Sequence, residues 1–300
     1  MDIILLGTAA GGGFPQWNCA CRPCRTARHD PAAARPRTQS SVAVSADGER
    51  WFLINASPDV RSQLALIPGA APRPSRDLPV EGVLLTDAEI DHTLGLLLLR
   101  EGRRLPVAAS PVVGRILERG GGVLPTVRAF ADVPFTPLPP GATVELRDRN
   151  GDALGLTVEA FAVAGGPPRF APDAPHDGAV TGLLVSDGRA SCACVPGCGA
   201  LDARTTAHLA GADLILFDGT FWADDELQSL GYGTRTARAM GHLPISGADG
   251  SLASLAALKR RAVYLHINNT NPILLEDSPE RRAVAGEGLT VGADGMRFSL

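Results

Sequence analysis

The chain has 300 residues, of which 45% are hydrophobic and 20% charged, and its formal net charge is -4 at pH 7. This composition is typical of a folded globular protein of one or two domains and excludes long disordered segments. The acidic balance provides no broad positive surface for nucleic acid, and the longest aliphatic run has far too few residues to span a membrane. Because the N-terminal residues lack the positive charge of a signal peptide, we expect a cytoplasmic protein.

The first part of the chain predicts strands followed by helices. Residues 3–6 form a short apolar run, and the runs 40–44 and 51–54 flank the turn sequence Ala-Asp-Gly, which predicts a hairpin. Three more elements are predicted before residue 101: a helix over 59–66, a buried strand over 80–85 and an apolar helix over 93–100. The polar residues 87–92 therefore fall in a predicted loop at a strand end.

The remainder of the chain mixes strands and helices. Strands are predicted over 144–146, 157–163, 182–185, 190–195, 214–217 and 262–267, and helices over 111–118, from Asp202 to about 209, and over 252–258. The proline-rich segment 165–178 is the longest predicted loop and suits a lid. This order of elements fits a sandwich of two sheets covered by helices as well as a doubly wound sheet, so periodicity alone leaves the fold open.

Three cysteines near the N-terminus, Cys19, Cys21 and Cys24, form the pattern Cys-x-Cys-x2-Cys. Three thiolates this close in a polar loop can converge on one tetrahedral ion, which predicts a structural zinc site; free thiols in a reducing compartment are the alternative. Such a site needs a fourth ligand. The spacing favours the nearby His29, and a distant histidine such as His242 is the second candidate.

A second set of cysteines has a similar pattern. Cys192, Cys194 and Cys198 read Cys-x-Cys-x3-Cys, but the first two alternate in a strand-like run and would point to one face of a sheet. Buried free cysteines behave as small apolar side chains, so we predict that these three pack in the core.

Carboxylates and a histidine are crowded into residues 86–92, directly after a predicted strand. Asp87, Glu89, Asp91 and His92 would repel one another without a cation, and oxygen-rich ligation with one or two histidines suits Fe(II) or Mn(II). The alternative is a solvated acidic turn that caps the helix beginning near residue 93.

Two further candidates follow other predicted strands. His266 precedes the polar sequence Ile-Asn-Asn-Thr-Asn-Pro, and Asp218 precedes Gly-Thr-Phe-Trp, whose aromatic side chains could line a pocket. A lone histidine at a strand end is more often structural than functional, so its position alone does not identify His266 as a ligand.

Together these motifs resemble the metallo-β-lactamase superfamily and, within it, a family of pyrroloquinoline quinone (PQQ) biosynthesis proteins. Residues 86–92 match the superfamily motif Thr-His-x-His-x-Asp-His, with Asp87 and Glu89 in place of the first two histidines. The narrower resemblance covers nearly the whole chain, through residues 7–19, 55–59, 218–222, 241–246 and 266–272. It implies an α/β (α+β) fold, the αββα sandwich, in which two similar halves form a single domain over 1–300 with the site at strand ends between the sheets.

The resemblance also implies metal ligands. A phosphonate-degrading cyclic phosphodiesterase of this fold has a similar cysteine loop that a histidine from the C-terminal half completes, which points to His242 rather than His29. The superfamily's dinuclear zinc hydrolases use imidazole-rich ligation, whereas here two histidines are replaced, none occurs near 164–166, and the bridging aspartate is absent near 195–197. A hydrolytic zinc pair is therefore not expected.

What remains is similar to an iron centre with two histidines and one carboxylate, formed by Asp91, His92 and His266. The family resemblance implies an Fe(II)-dependent oxygenase that hydroxylates the tyrosine ring of a Glu-Tyr cross-linked PQQ precursor, with O2 as the second substrate. In this hypothesis Asp87 and Glu89 tune the charge of the iron or accept a phenolic proton. The substrate-binding residues are predicted to be Asn268, Asn269, Trp222 and Asp218.

Two other functions stay open at this stage. The family resemblance also implies a carrier role for PQQ or its precursor, which would suit a chain with few metal ligands and many arginines. A residual metal-dependent hydrolase of the superfamily is the third hypothesis. The fold is compatible with a homodimer, and we expect no nucleic-acid partner.

Overall fold

The computed structural model describes residues 1–69 and 79–300, and within these ranges the chain forms two seven-stranded sheets. The predicted strands are present, with bounds that differ by a few residues. In chain order the strands are β1 (Asp2–Gly7), β2 (Ser41–Ser45), β3 (Phe52–Ile54), β4 (Gly82–Leu84), β5 (Val107–Ala109), β6 (Phe135–Pro137), β7 (Thr143–Arg147), β8 (Ala153–Ala162), β9 (Thr181–Ser186), β10 (Ser191–Val195), β11 (Leu214–Asp218), β12 (Arg261–Leu265), β13 (Thr290–Val291) and β14 (Arg297–Ser299).

The helices are short, and several begin with a capping side chain. Asp202 accepts a hydrogen bond from the backbone N–H of Thr205, as its position in the sequence predicts, and Ser110 and Ser278 cap two helices that begin with proline. In chain order the helices are α1 (Arg22–His29), α2 (Val60–Gln63), α3 (Ile90–Thr93), α4 (Gly95–Leu98), α5 (Pro111–Arg115), α6 (Val123–Arg128), α7 (Ala203–Gly211), α8 (Glu226–Ser229), α9 (Ser251–Ala257) and α10 (Pro279–Gly286).

The two sheets repeat one plan. The first has the order β14-β1-β2-β3-β4-β5-β6 and the second β13-β12-β11-β10-β9-β8-β7. In the first sheet, β1 to β3 are antiparallel, and β3 to β6 are parallel. In the second sheet, β7 to β10 are antiparallel, and β10 to β13 are parallel. The exception to sequence order is β14, which returns to pair with β1.

Alternating side chains place three apolar layers around these sheets. In β1, Ile3 and Leu5 face the layer between the sheets, whereas Ile4 and Leu6 face the helices that cover the first sheet. A third layer lies between the second sheet and its helices. Because successive strand residues point to opposite faces, a strand buried on both faces is apolar throughout. The arrangement is therefore helix, sheet, sheet, helix.

The second set of cysteines lies in this core. Cys192 and Cys194 on β10 face the layer between the sheets, and Cys198 packs on the helix side of the second sheet; each is at most 1% exposed. Burial raises the pKa of all three thiols, that of Cys194 to about 12. The prediction that they pack as apolar side chains is confirmed.

The segment that carries the acidic cluster differs from its predicted structure. Residues 87–92 do not all lie in a loop, because the four-residue helix α3 begins at Ile90 and includes Asp91 and His92. The predicted helix 93–100 is also divided, since α3 is followed by α4 and a 3-10 turn over Leu99–Glu101. Gly95 allows this close packing: its N–H donates to the backbone oxygen of Ala56, where a Cβ atom would overlap the backbone.

The described helices are not of the kind that crosses a membrane. Over the described ranges, the longest α-helix is α7, with nine residues, and none has the length and apolar character that crossing a bilayer requires.

Candidate metal centre

Polar residues from both sheets meet at the carboxyl ends of parallel strands. Thr86 and Asp87 follow β4 of the first sheet, while Asp218 ends β11 and His266 follows β12 of the second. Thr181 at the start of β9 joins the two sheets here, because its N–H and hydroxyl both donate to the backbone oxygen of Thr86. The convergence of strand ends creates one site between the sheets, as the family resemblance implied.

Asp87 fixes the orientation of the His92 imidazole. Its two carboxylate oxygens lie 2.8 Å from Nδ1 of His92, and they also accept hydrogen bonds from the Thr86 hydroxyl and the backbone N–H of Glu89. An ionised carboxylate can only accept, so Nδ1 of His92 carries a proton, and Nε2 is the nitrogen whose lone pair becomes available when the ring is neutral. Nε2 is buried and has no hydrogen-bond partner in the described residues.

Thr220 does the same for His266. The Thr220 hydroxyl lies 2.6 Å from Oδ1 of Asp218, to which it donates, and 2.8 Å from Nδ1 of His266. Because a hydroxyl has one proton and Asp218 takes it, Nδ1 of His266 must be the donor to Thr220. Nε2 of His266 therefore faces the site, where it lies within hydrogen-bond distance of Asp91, 3.2 Å from Oδ2.

Asp91, His92 and His266, here called the histidine-carboxylate group, have the geometry of a metal site. One potential ligand atom from each residue lies within 4.8 Å of the others, and the centroids of the two imidazole rings are 5.0 Å apart. When both imidazoles are neutral, two nitrogen lone pairs and a carboxylate oxygen at this separation repel one another unless a proton or a metal ion lies between them. The partnerless Nε2 of His92 is the clearest sign that these residues fit a metal ion.

The charges in the site are strongly coupled. Burial alone would lower the pKa of His92, but the carboxylates of Asp87 and Asp91 outweigh this effect and raise the pKa to about 9. Burial would raise the pKa of Asp91, yet the charge of His92 and the hydrogen bond with His266 hold it below its usual range. Burial and the neighbouring charges of Asp87 and Asp91 raise the pKa of Glu89 to about 7.

His242 lies at this site and not at the cysteines. Its Nδ1 is 2.8 Å from Oδ2 of the fully buried Asp218, and its ring stacks on His266 with 5.4 Å between centroids. This corrects the expectation that His242 is the fourth zinc ligand, because Asp218 and Thr220 hold its imidazole among the strand-end residues. Asp218, His242 and His266 also form a second set of potential ligand atoms within 4.8 Å of one another.

The three N-terminal cysteines, here called the cysteine group, converge as predicted. The Sγ atoms of Cys19, Cys21 and Cys24 lie within 4.8 Å of one another, and the last two are buried at the start of α1. A hydrogen bond from Cys21 lowers the pKa of Cys24 to about 6, so one thiolate is favoured in the pair even without a metal. His29 is exposed at the end of the same helix and is not part of the group.

Several predicted substrate-binding residues have other contacts. Asn269 packs on the cysteine group, and Asp218 is buried beneath His242 and Thr220. Trp222 lines a cavity of about 300 Å3 beside Cys21. Asp87 contacts the imidazole of His92 and supports this ring, which is a different role from accepting a substrate proton.

Two supporting residues were not assigned a role from the sequence. Thr220 lies within the motif Asp-Gly-Thr-Phe-Trp, and Asn55 begins another, but neither has ligand chemistry that would single it out. Asn55 and His266 both have left-handed backbone conformations, with φ of 62° and 55°. The amide of Asn55 bonds to the N–H and hydroxyl of Thr86, which in turn holds Asp87. A polar side chain at the end of a strand was the available signal.

Known proteins resemble the chain over its whole length. The β-lactamase superfamily domain matches residues 50–267. Coenzyme PQQ synthesis protein B of Gluconacetobacter diazotrophicus is 43% identical over 309 aligned residues, which cover 100% of this chain and 99% of that protein. The crystal structure of Zn2+-bound PqqB from Methylobacterium extorquens is 40% identical, with a TM-score of 0.91 and complete coverage of both chains. A diphosphatase of the PhnP family is 18% identical, with a TM-score of 0.67 and coverage of 99% and 96%, and shares the fold.

Proposed function

The chain belongs to the coenzyme PQQ synthesis protein B family of the metallo-β-lactamase superfamily, and from this premise we propose that it is an iron-dependent oxygenase in PQQ biosynthesis. Its substrate is the Glu-Tyr cross-linked precursor, and it hydroxylates the tyrosine ring. The observation that carries the proposal is the histidine-carboxylate group, in which one nitrogen from each of two imidazoles and one carboxylate oxygen lie within 4.8 Å of one another.

The donor set supports Fe(II) as the ion. Two histidines and one carboxylate leave coordination positions open, which is typical of non-haem iron oxygenases. When bound, Fe(II) would supply the activation of O2. Replacing an aromatic C–H by C–OH takes one oxygen atom from O2, and the second oxygen atom leaves as water after taking up two electrons and two protons from an external reductant.

The surrounding residues orient the ligands and provide for proton transfer. Asp87 and Thr220 keep the Nδ1 protons of the two ligand histidines pointing away from the centre. Nδ1 of His242 is occupied by Asp218, so Nε2 is the atom of this ring that can exchange a proton with the substrate phenol. Glu89, at the start of the same helix as Asp91, is a second proton acceptor.

The cysteine group supports a separate structural zinc. Three thiolates held between α1 and the loop after β12 match the ligand type of a closed zinc site. We expect Cys21→Ser to release about one equivalent of zinc and to lower the thermal midpoint. An unchanged zinc content in Cys21→Ser would remove this part of the proposal.

The decisive experiment is anaerobic reconstitution with Fe(II), followed by addition of the cross-linked precursor, a reductant and O2. Mass spectrometry should show addition of oxygen to the precursor, with 18O label when 18O2 is supplied. His92→Ala and His266→Ala should lose iron and turnover while remaining folded. His208→Ala is the matched control, because this histidine lies on α7, where it stacks on Phe161 and bonds to Glu159 of β8, away from the site.

Two outcomes would contradict the proposal. Wild-type turnover in both His92→Ala and His266→Ala would exclude the histidine-carboxylate group as the iron site. If the precursor returns unchanged while the protein binds PQQ tightly, the carrier function replaces the oxygenase.

A further inference from the structure

The loop after β1 lies against one of the proposed iron ligands. Residue 11 is a glycine, and a Cβ atom at this position would lie 3.4 Å from Oδ2 of Asp91 and 3.8 Å from its Cβ. Apart from the chain neighbours of Gly11, the three nearest heavy atoms all belong to the Asp91 side chain. A side chain at position 11 would therefore project toward the Asp91 carboxylate.

The backbone does not require glycine at position 11. The next two residues, Gly12 and Gly13, have φ of 91° and 68°, in the left-handed region that favours glycine, whereas Gly11 lies outside this region. Gly11 is also exposed, and a Cβ atom there would make only an ordinary van der Waals contact. Because neither conformation nor packing calls for glycine, the feature that Gly11 provides is the free space beside Asp91.

Hydrogen bonds fix this loop in place. The Ala10 N–H donates to the backbone oxygen of Ile267 over 2.9 Å, and the Gly12 N–H donates to Oε1 of Gln39 over 3.1 Å. Ile267 directly follows His266, so the loop is tied to the segment that carries another proposed ligand. The space beside the carboxylate is thus part of the folded structure, as is usual for small-molecule sites.

Solvent reaches the histidine-carboxylate group mainly on this side. The side chain of Asp91 is 15% exposed, against 3% for His92 and 8% for His266. The Nδ1 sides of the two imidazoles are closed by Asp87 and Thr220. A substrate that approaches from solvent therefore has to pass Asp91, where residue 11 borders the path.

We propose that Gly11 determines which substrates reach the histidine-carboxylate group, by leaving room for a flat aromatic ring beside Asp91; this inference rests on the oxygenase function proposed above. A ring that packs against the Asp91 side chain needs its carbon atoms at about 3.5–4.0 Å from that side chain. A Cβ atom at position 11 would lie at nearly this distance, 3.4 Å from Oδ2. A side chain at position 11 and the tyrosine ring of the precursor therefore compete for one layer of space.

Gly11→Ala, Gly11→Val and Gly11→Leu fill this layer in steps. Titration calorimetry measures binding of the cross-linked precursor to the anaerobic Fe(II)-loaded protein. We expect the affinity to fall in this order, by about tenfold or more for Gly11→Val, which corresponds to the usual cost of a steric overlap.

Gly286→Val is the matched control for these variants. Gly286 is an exposed glycine at the end of α10, its φ is outside the left-handed region, and a Cβ atom there would meet nothing within 4 Å. Gly286→Val should bind the precursor with wild-type affinity.

Two further readouts separate substrate access from damage to the proposed metal site. Fe(II) affinity of the apoprotein should stay at the wild-type value in Gly11→Ala and Gly11→Val. Binding of nitric oxide to the Fe(II)-loaded protein should also be unchanged, because a two-atom probe needs far less space than a ring. Loss of iron in Gly11→Val would show that this position supports Asp91 and would overturn the proposal.

The series stays decisive if a large side chain prevents folding. A Cβ atom at position 11 makes no overlap, so we expect Gly11→Ala to fold, and weaker precursor binding in this variant supports the proposal by itself. Wild-type precursor binding in the largest variant that folds would overturn it.

The outcomes also separate this inference from the oxygenase function. If the wild type binds the precursor but does not hydroxylate it, the oxygenase is refuted, and the order of affinities among the Gly11 variants still decides the role of Gly11. If the wild type hydroxylates the precursor and the variants bind it equally well, only the role of Gly11 is refuted. A wild-type protein that does not bind the precursor refutes both.

Discussion

The position of the proton on each imidazole decides which ring nitrogen can bind a metal ion in the histidine-carboxylate group. Asp87 and Thr220 each hold an Nδ1–H, so the opposite nitrogens of His92 and His266 are free to donate lone pairs. Asp218 serves two rings, through Thr220 for His266 and directly for His242. The proposed ligands His92 and His266 are thus oriented by buried residues outside the histidine-carboxylate group.

Asp87→Asn tests this orientation. The change keeps the shape of the side chain but removes the negative charge beside His92, which makes its Nε2 a weaker donor. We expect the Fe(II) dissociation constant to rise by about 10- to 100-fold. Titration of iron into the anaerobic apoprotein measures the effect. Asp202→Asn makes the same chemical change at the cap of α7 and should leave iron affinity unaltered; equal affinities in all three proteins would contradict the argument.

Glu226 provides a residue-scale prediction away from the proposed ligands. It is buried, its two oxygens lie within hydrogen-bond distance of the Trp222 N–H and the Thr270 hydroxyl, and burial raises its pKa from 4.5 to about 7. The folded state therefore holds a proton that the unfolded state releases between about pH 4.5 and 7. By linkage, the free energy of unfolding falls as pH rises through this window, by up to about 3 kcal/mol.

Glu226→Gln removes this titration. We expect the variant to gain stability relative to the wild type between pH 5 and 8, as measured by urea unfolding at several pH values. Glu287→Gln, at the exposed end of α10, should follow the wild-type profile. A constant difference between Glu226→Gln and the wild type across this range would show that Glu226 does not carry the pH dependence.

At the residue scale, the sequence indicates which side chains can bind a metal ion, but it does not always indicate which residues they contact. Residue type and crowding point to Asp91 and His92, the family resemblance adds His266, and the fold brings the three together. The resemblance to a cyclic phosphodiesterase assigns His242 to the cysteines, whereas the fold places it on Asp218. The oxygenase hypothesis assigns Asn269 to the substrate, because an asparagine in a polar loop has no local signal that identifies its contact with Cys21.

At the scale of elements, the polar residues of the site lie where short helices begin and strands end. The helix predicted from residue 93 begins three residues earlier, because Glu89 takes the cap position and its backbone oxygen accepts a bond from the Thr93 hydroxyl. Apolar periodicity could not detect this start, since Asp91 and His92 face the site and are not apolar. Capping residues were better predictors, as Asp202 shows for α7.

The pairing of β8 with β9 makes a prediction at this scale. Gly182 lies opposite Phe161, and a Cβ atom at Gly182 would overlap the buried aromatic ring. We expect Gly182→Ala to lower the free energy of unfolding by about 1–3 kcal/mol, the usual cost of overpacking. Urea unfolding of Phe161→Ala, Gly182→Ala and the double variant forms a cycle. Because the clash disappears without the ring, the double variant should lose less than the sum; strict additivity would contradict this.

The whole molecule is two similar sheets packed face to face, and the family comparisons confirm the predicted metallo-β-lactamase fold. Strand positions were predictable from apolar runs, but the choice between a sandwich and a doubly wound sheet was not. Strands such as β11 and β12 are buried on both faces in either fold, so their sequences look alike. The motif resemblance decided the fold because it includes residues from both halves.

Strands β1 and β14, from the two ends of the chain, both contribute to the apolar layer between the sheets. Phe298 on β14 pairs with Ile3 on β1, lies between the sheets and is 5% exposed, with the Arg261 guanidinium 4.6 Å above its ring. We expect Phe298→Ala to lower the free energy of unfolding by about 3–5 kcal/mol. Ser299→Ala, on the exposed side of the same strand, should change it by less than about 0.5 kcal/mol. Equal effects of the two changes in urea unfolding would contradict the buried position of the ring.

The order in which residues occur along the chain has a consequence for how the protein is made. The cysteine group, Asp91 and His92 are all synthesised in the first third, whereas His266 and Asn269 follow β12 near the end. A nascent chain that has emerged only as far as β11 carries Asp91 and His92 but lacks His266, and its three cysteines lack the Asn269 side chain that packs on them. Metal capture on the ribosome would thus be incomplete until the last strands have paired, and a chain truncated before β12 would leave three thiols open to oxidation.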